Sequence, residues 1–230
     1  MNEAQFIETL NQQGIFLSQR QIEQFSLYAN LLIEWNQKMN LTAITNREEI
    51  YEKHFYDSIV PFLSLEFETL CDVGSGAGFP GIPVSIVWPE KKITLMEPLT
   101  KRCRFLEEVN KQLGLQLKIL NIRSEDAKEY RENFDIVTSR AVARLTILLE
   151  LCTPLLKVGG TMVALKGKGA SEELQNASKA LDVLSLEHRE TKEVDVYGAK
   201  HQNMYFKKNK KTDLKYPRHY GQIKKKPLGE

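Results

Sequence analysis

The chain has 230 residues, 42% of them apolar and 27% charged, with 13 Gly and 8 Pro. That is ordinary globular composition, long enough for one domain with an extension and a core that needs no disulfide or metal staple; it excludes collagen-like, coiled-coil and wholly disordered chains. The formal net charge of +2 hides an asymmetry: residues 200–230 hold ten Lys/Arg against Asp213 and Glu230, while the rest of the chain holds 22 basic and 28 acidic residues, so polyanion contacts are expected at the C-terminal end.

The N-terminus, MNEAQFIETL, has no basic stretch followed by an apolar run, and no segment approaches the ~20 apolar residues of a membrane span. Neither a secretory signal nor a membrane anchor is expected. Cys71, Cys103 and Cys152 lie far apart among apolar neighbours, with no C-x-x-C pair and no Cys/His cluster. They read as reduced core thiols of a cytoplasmic protein without a metal site.

The first fifty residues read as helical. Ser18-Gln19-Arg20-Gln21 has the form of a capping box, and Ile22, Phe25, Ala29, Leu32, Trp35 and Met39 follow at three- and four-residue steps, one apolar helix face packed on a core. Asn40-Leu41-Thr42 breaks the pattern, and a second helix is predicted from about Glu48 to Leu63. From Leu70 the texture changes to short β-rich runs alternating with helices: LCDVG (70–74), a helix over Ile82–Trp88, ITLME (93–97), a helix over Thr100–Leu113, LKILN (117–121), FDIVTS (134–139), a helix over Leu145–Leu156, GTMVALKG (160–167) and a helix from Ser171 to about Leu184. This alternation predicts an α/β fold with a mostly parallel sheet and helices on both faces. Runs near 193–197 and 203–206 look like a closing antiparallel pair. The expected organisation is a helical extension packed on the sheet (1–65), the α/β domain (66–209) and a basic tail (210–230).

The most informative segment is Asp72-Val73-Gly74-Ser75-Gly76-Ala77-Gly78-Phe79-Pro80-Gly81, between the first strand and a helix. A dinucleotide loop needs G-x-G-x-x-G; read from Gly74 it fails at Phe79, read from Gly76 it fits through Gly78 and Gly81. The pattern D-x-G-x-G-x-G is matched without gaps by Asp72, Gly74, Gly76 and Gly78, and resembles the first motif of S-adenosylmethionine-dependent methyltransferases. A carboxylate at the strand end suits a ligand bearing an ammonium and a sulfonium and would repel a pyrophosphate. Glu97 ends the second strand, where a carboxylate can accept both ribose hydroxyls of an adenosine of either cofactor class. Ser124-Glu125-Asp126 follows the third strand, at the height of an adenine. Together these strand ends form one rim, the place where open α/β sheets bind ligands.

DVGSGAGFPGIP, KRCRFLEE, NIRSEDA, FDIVTSRAVA, ALKGK and YPRHYGQIKKKPLG, in this order, with NLTAIT and KHFYDSI ahead of them, resemble the glucose-inhibited division protein B family, also called ribosomal RNA small subunit methyltransferase G, over residues 20–228. The resemblance implies a Rossmann-like class I methyltransferase fold with a seven-stranded sheet and an N-terminal helical extension. It further implies transfer of a methyl group from S-adenosylmethionine to N7 of a guanine, guanosine 527, in the decoding-region loop of 16S ribosomal RNA. By position it puts the cofactor contacts on Gly74, Phe79, Ser124, Glu125 and Arg140; Asp72, Gly76, Gly78 and Glu97 come from the physical argument above. Phe79 also has a plain core reading. The one departure is Glu97-Pro98, where Asp-Ser is common in the family; the longer acid still reaches a ribose.

N7 of guanine carries a free lone pair at neutral pH, so no general base is needed, and none of His54, His188, His201 and His219 sits in a triad-like motif. Arg140, at the end of the fourth strand, is expected to bond a phosphate or guanine O6, or to close over the cofactor's carboxylate, with a surface ion pair as the plain alternative; Arg123 is a weaker candidate of the same kind. The expected RNA contacts are Lys166 and Lys168, the run Lys207–Lys211, and the tail with Tyr216, Arg218, His219, Tyr220, Lys224, Lys225 and Lys226. The partner expected is 16S ribosomal RNA or the small subunit, with no obligate protein partner. Two competing readings stay open on the sequence: a nicotinamide-dependent oxidoreductase, and a non-catalytic RNA-binding module on the same fold.

Overall fold

The strands are β1 (Thr69–Val73), β2 (Lys92–Met96), β3 (Lys118–Leu120), β4 (Phe134–Arg140), β5 (Leu156–Lys166), β6 (Leu186–Val196) and β7 (Ala199–Lys208). In this computed structural model, which describes residues 1–140, 143–167, 169–196 and 198–229 (Val196 and Ala199 by backbone alone), they join in one sheet of order β3-β2-β1-β4-β5-β7-β6. The first five are parallel; β7 runs antiparallel to both β5 and β6. The chain winds outward from β1 through β2 to β3, then returns to pair β4 with β1 and winds the other way. That reversal opens a crevice above the carboxyl ends of β1 and β4, where the glycine loop and Arg140 begin.

Each face of the sheet has its own core. On one, the helices Glu3–Gln12 and Gln19–Met39 and the helical run 47–62 pack Phe6, Phe25, Tyr28, Leu32 and Phe55 against the Gly81–Val87 helix and its strands. The predicted capping box forms: Gln21 N–H donates to Ser18 Oγ and Ser18 N–H to Gln21 Oε1. The Gln21 amide then reaches the carbonyls of Ile86 and Val87, tying the helix to the domain behind it. Asn40, left-handed at φ 50, ends the helix. On the other face, the Leu145–Cys152 and Ser178–Leu184 helices cover Val137, Met162 and Phe206. Cys71, Cys103 and Cys152 are free and buried.

Several boundaries differ from the sequence reading. The helix expected to reach Leu156 stops at Cys152, because Pro154 cannot continue it, and β5 starts four residues earlier than predicted. The stretch 171–184 is two helices meeting at Ala177. β6 and β7 are far longer than the two apolar runs that marked them. Within the run at 47–62, Ile50–Tyr56 is a π-helix, a form concentrated at functional sites.

The C-terminal segment is built into the fold. Arg131 donates to the carbonyls of Thr212, Asp213 and Tyr216. The Tyr220–Lys225 helix seats Ile223 against Ile147 and Leu151. Among the described residues, no helix is long and apolar enough to cross a membrane.

Candidate functional site

The glycine loop leaves β1 with Gly74, Gly76 and Gly78 all at positive φ. Gly74 and Ser75 donate to Met96 O, which holds the loop against the end of β2. The glycines do different work. A Cβ on Gly78 would stand 2.3 Å from Ile82 Cδ1, and one on Gly81 2.3 Å from Leu95 Cδ2, so both are needed for close packing. Among the described residues, a Cβ on Gly76 would meet only Gly74 O, at 3.9 Å. What lies over Gly76 is a cleft of about 470 Å³, whose walls include Thr42, Glu97, Leu99, Phe79 and Arg140.

Glu97 is 1% exposed and bound at both oxygens: Gly76 N–H donates to Oε2 at 2.9 Å and Leu99 N–H to Oε1 at 3.0 Å. A carboxylate has about four acceptor sites, so acceptor capacity remains, and Arg102, on the same cleft, has Nη1 3.8 Å from Oε2. Asp72 is fully buried; Oδ2 accepts from Gly81 N–H at 3.0 Å, whereas Oδ1 has no hydrogen-bond partner among the described residues. Burial pushes this carboxyl up to about 7, against the opposing pull of the Gly81 N–H and Arg140. An orphaned acceptor at the end of the strand that leads into the glycine loop fits a cationic ligand group, and the Glu97 carboxylate beside Gly76 fits a diol. These residues suit S-adenosylmethionine.

Arg140 closes one side. Its guanidinium donates to Asp57 Oδ2 (3.3 Å), Lys53 O (3.4 Å) and His54 Nδ1 (3.2 Å) and lies over the Phe79 ring at 4.7 Å. His54 stacks on Phe79 at 4.4 Å. Because His54 Nδ1 accepts from Arg140, its proton sits on Nε2, 2.8 Å from Thr42 Oγ1. Burial, then the Arg140 charge, pushes His54 down to about 3, so the ring is neutral. Asp57 bridges: its other oxygen accepts from His201 Nδ1 at 2.9 Å, and that bond raises the His201 pKa. Beyond Arg140 and His54 lies a second cleft of about 430 Å³, which shares those two residues with the first.

The structure gathers Gly74, Gly76, Phe79, Glu97 and Arg140 at one cleft; Asp72 is fully buried near the end of β1 and outside the lining, bonded to Gly81 N–H, and Gly78 is packed on Ile82. It does not bring Ser124 and Glu125 there: they sit in a short 3₁₀ turn after β3, outside the lining. Arg123 is also away from it, half exposed, paired with Glu125 and over the Tyr220 ring. Lys166 reaches the second cleft but is held by Glu173 at 2.7 Å and by Ala143 O. Lys168 lies outside the described residues. Arg218, expected at RNA, instead forks onto the fully buried Glu150 at 2.8 and 2.6 Å. Lys208, within the run expected to attract phosphate, is fully buried on Glu132 and two carbonyls. Lys224, Lys225 and Lys226 are exposed. Sequence reasoning missed Thr42, Lys53, Asp57 and the part played by His54 and His201; the K-H-x-x-D spacing on a helix was the available signal.

The model of the rRNA small subunit methyltransferase G family matches residues 21–205. The chain is 46% identical over 237 residues to the Ribosomal RNA small subunit methyltransferase G of Exiguobacterium sp., covering 99% of this chain and 100% of that one. It is 47% identical over 231 residues to the protein of that name from Staphylococcus epidermidis, 97% of each being covered. Its fold is similar to that of M. jannaschii TYW2 solved in complex with AdoMet, with a TM-score of 0.53 and 18% identity over 66% of this chain and 74% of that one. The oxidoreductase reading falls with the near full-length identity, and the chain belongs to the rRNA small subunit methyltransferase G family of S-adenosylmethionine-dependent methyltransferases.

Proposed function

We propose that the protein methylates N7 of a guanine in 16S ribosomal RNA, guanosine 527, presented naked or in the small subunit. The observation that carries this reading is the pair of clefts that share Arg140 and His54, one over the glycine loop and one beside it. S-adenosylmethionine supplies a methyl on a sulfonium. Glu97 would take the ribose hydroxyls, Asp72 Oδ1 the ammonium, and the Phe79–His54–Arg140 stack would align the second cleft with the first. No side chain has to accept a proton, and a neutral His54 fits that. Asp57 offsets the Arg140 charge, so the stack adds no net cation beside the sulfonium. Alignment of this kind can supply several kcal/mol, of about 7–11 attainable. Small-subunit RNA treated with the protein and cofactor, then with borohydride and aniline, should be cut at the single 7-methylguanosine; a methylated product that resists cleavage would overturn the N7 assignment.

Asp72 gives a pH signature. Its folded pKa of about 7 lies above the usual 3.8. The native state therefore holds the proton more tightly, and stability falls as pH rises from about 4 to about 7. An ammonium arriving at Oδ1 favours the carboxylate and expels that proton. The ligand's own ammonium stays charged in this window. Affinity for S-adenosylmethionine should thus rise between pH 5 and 7, by at most about tenfold per unit, and Asp72→Asn should lack that rise. Calorimetry across the range checks it; the same pH dependence in both proteins would separate Asp72 from the ammonium.

For the RNA surface the docked C-terminal segment changes the experiment. Deleting residues 215–230 would uncover Ile147 and Leu151 and strand the buried Glu150 carboxylate, a loss of about 3–5 kcal/mol. Substituting Lys224, Lys225 and Lys226 by alanine touches exposed side chains alone. The triple variant should keep its melting temperature and cofactor affinity while the log–log salt slope of RNA binding flattens by roughly 0.7–0.9 for each phosphate that is no longer neutralised. An unchanged slope would remove this segment from the RNA surface.

A further inference from the structure

The second cleft is shaped by residues that the cofactor does not need. Its floor is Leu165 on β5 and Asn203 on β7, direct partners across the antiparallel ladder. His201, two residues from Asn203, faces the same side and meets Asp57 on the helical run opposite. Arg140 and His54 form the wall toward the glycine-loop cleft. The lining is mostly apolar between these polar groups, and a volume of about 430 Å³ is in the range of small-ligand pockets.

One side chain lining this cleft carries an unpaired polar atom. Asn203 is 1% exposed, yet its Oδ1 has no hydrogen-bond partner among the described residues. A buried amide oxygen normally has one, and leaving it bare is unfavourable. A donor from a ligand would remove that cost.

We propose that this cleft is the pocket for the target guanine base, and that Asn203 reads its N1–H and 2-amino edge. This rests on the N7 reading above. With N7 turned toward the shared Arg140–His54 wall and the methyl donor, O6 lies next to N7, at the wall. The guanidinium has five donors and makes three bonds within the protein, so it can still give one to O6. The opposite edge, N1–H and the 2-amino group, then points into the cleft toward the bare Oδ1, which has two lone pairs. Adenine offers an acceptor at N1 and a C–H at C2 in those positions, so the same oxygen would stay unpaired. The pocket therefore selects guanine by rejecting the base that leaves its floor unsatisfied.

The test compares RNA carrying guanosine with RNA carrying inosine, which lacks only the 2-amino group, at the methylated position. For the wild-type protein kcat/KM should fall about 5- to 50-fold on inosine. Asn203→Ala should lose about 10- to 100-fold on guanosine and show no further loss on inosine. Its affinity for S-adenosylmethionine should stay as in the wild type, because Asn203 lines the second cleft and not the one over the glycine loop. Equal kcat/KM of the wild type on the two RNAs would overturn the proposal without any variant, as would independent, multiplying losses in Asn203→Ala. Borohydride–aniline cleavage of the wild-type product separates this from the N7 reading: a product cut at 7-methylguanosine with no inosine effect sinks the pocket alone, and a methylated product that resists cutting sinks the N7 reading.

Discussion

Replacing Gly76 by valine should weaken S-adenosylmethionine binding at least about 100-fold, some 2.7 kcal/mol, while the protein stays folded. The reasoning is steric and local. The backbone at Gly76 is left-handed, at φ 59, where a β-branched residue is strained by about 1–2 kcal/mol. That strain lowers the melting temperature by a few degrees in a chain of this length. The Cβ of the new side chain meets no core atom: only Gly74 O lies within 4 Å of it among the described residues. It extends instead into the cleft beside Glu97. Gly78→Ala should do the reverse: its methyl collides with Ile82 and with the Tyr28 hydroxyl, so stability drops first and binding follows. Calorimetry and thermal melts on the two variants read the difference. Wild-type affinity in Gly76→Val would take the loop out of the cofactor site.

The glycine loop was legible in the sequence because its signal is local: an acid, three alternate glycines, and a strand and helix on either side. β1, β2 and β4 were legible for the same reason, each being a short, largely apolar run buried along most of its length. β6 was not. It is an edge strand reading LEHRETKEVDV, and its charged residues protect an open edge while erasing the alternation that marks a strand. Lys208 and Arg218 looked like phosphate ligands because a basic residue near the end of a chain is normally solvated. Only tertiary structure shows Glu132 and Glu150 meeting them. The polar half of the site was hidden by distance. Asp57 and His201 are 144 positions apart, one just past the π-helical stretch and the other on an antiparallel strand. No spacing rule links such a pair, so the histidines were set aside for lack of a triad, whereas His54 accepts from Arg140 and His201 donates to Asp57, the carboxylate that Arg140 meets.

That arginine carries the second large effect. Arg140→Lys should lower the rate of methyl transfer from bound substrates about 100-fold or more, while affinity for S-adenosylmethionine changes by no more than about threefold, since a misplacement near 1 Å costs this much in a positioned reaction. A guanidinium is a planar fork; it bonds Asp57, the Lys53 carbonyl and His54 at once and still lies flat on Phe79. A lysine ammonium is a point charge on a flexible stem and cannot hold all of these together. Lysine keeps the charge that Asp57 needs. Arg140→Met does not, and leaves a buried carboxylate with His201 as its remaining partner; it should cost about 3–5 kcal/mol of stability, or roughly 6–20 °C in melting temperature. Comparing the two variants separates charge from shape. Single-turnover rates and calorimetric affinity then decide between the two roles open to Arg140. A rate within threefold of wild type in Arg140→Lys, together with a tenfold or larger loss of cofactor affinity, would make the residue a clamp on the cofactor's carboxylate. The reverse pattern would make it the group that lines up the guanine with the methyl.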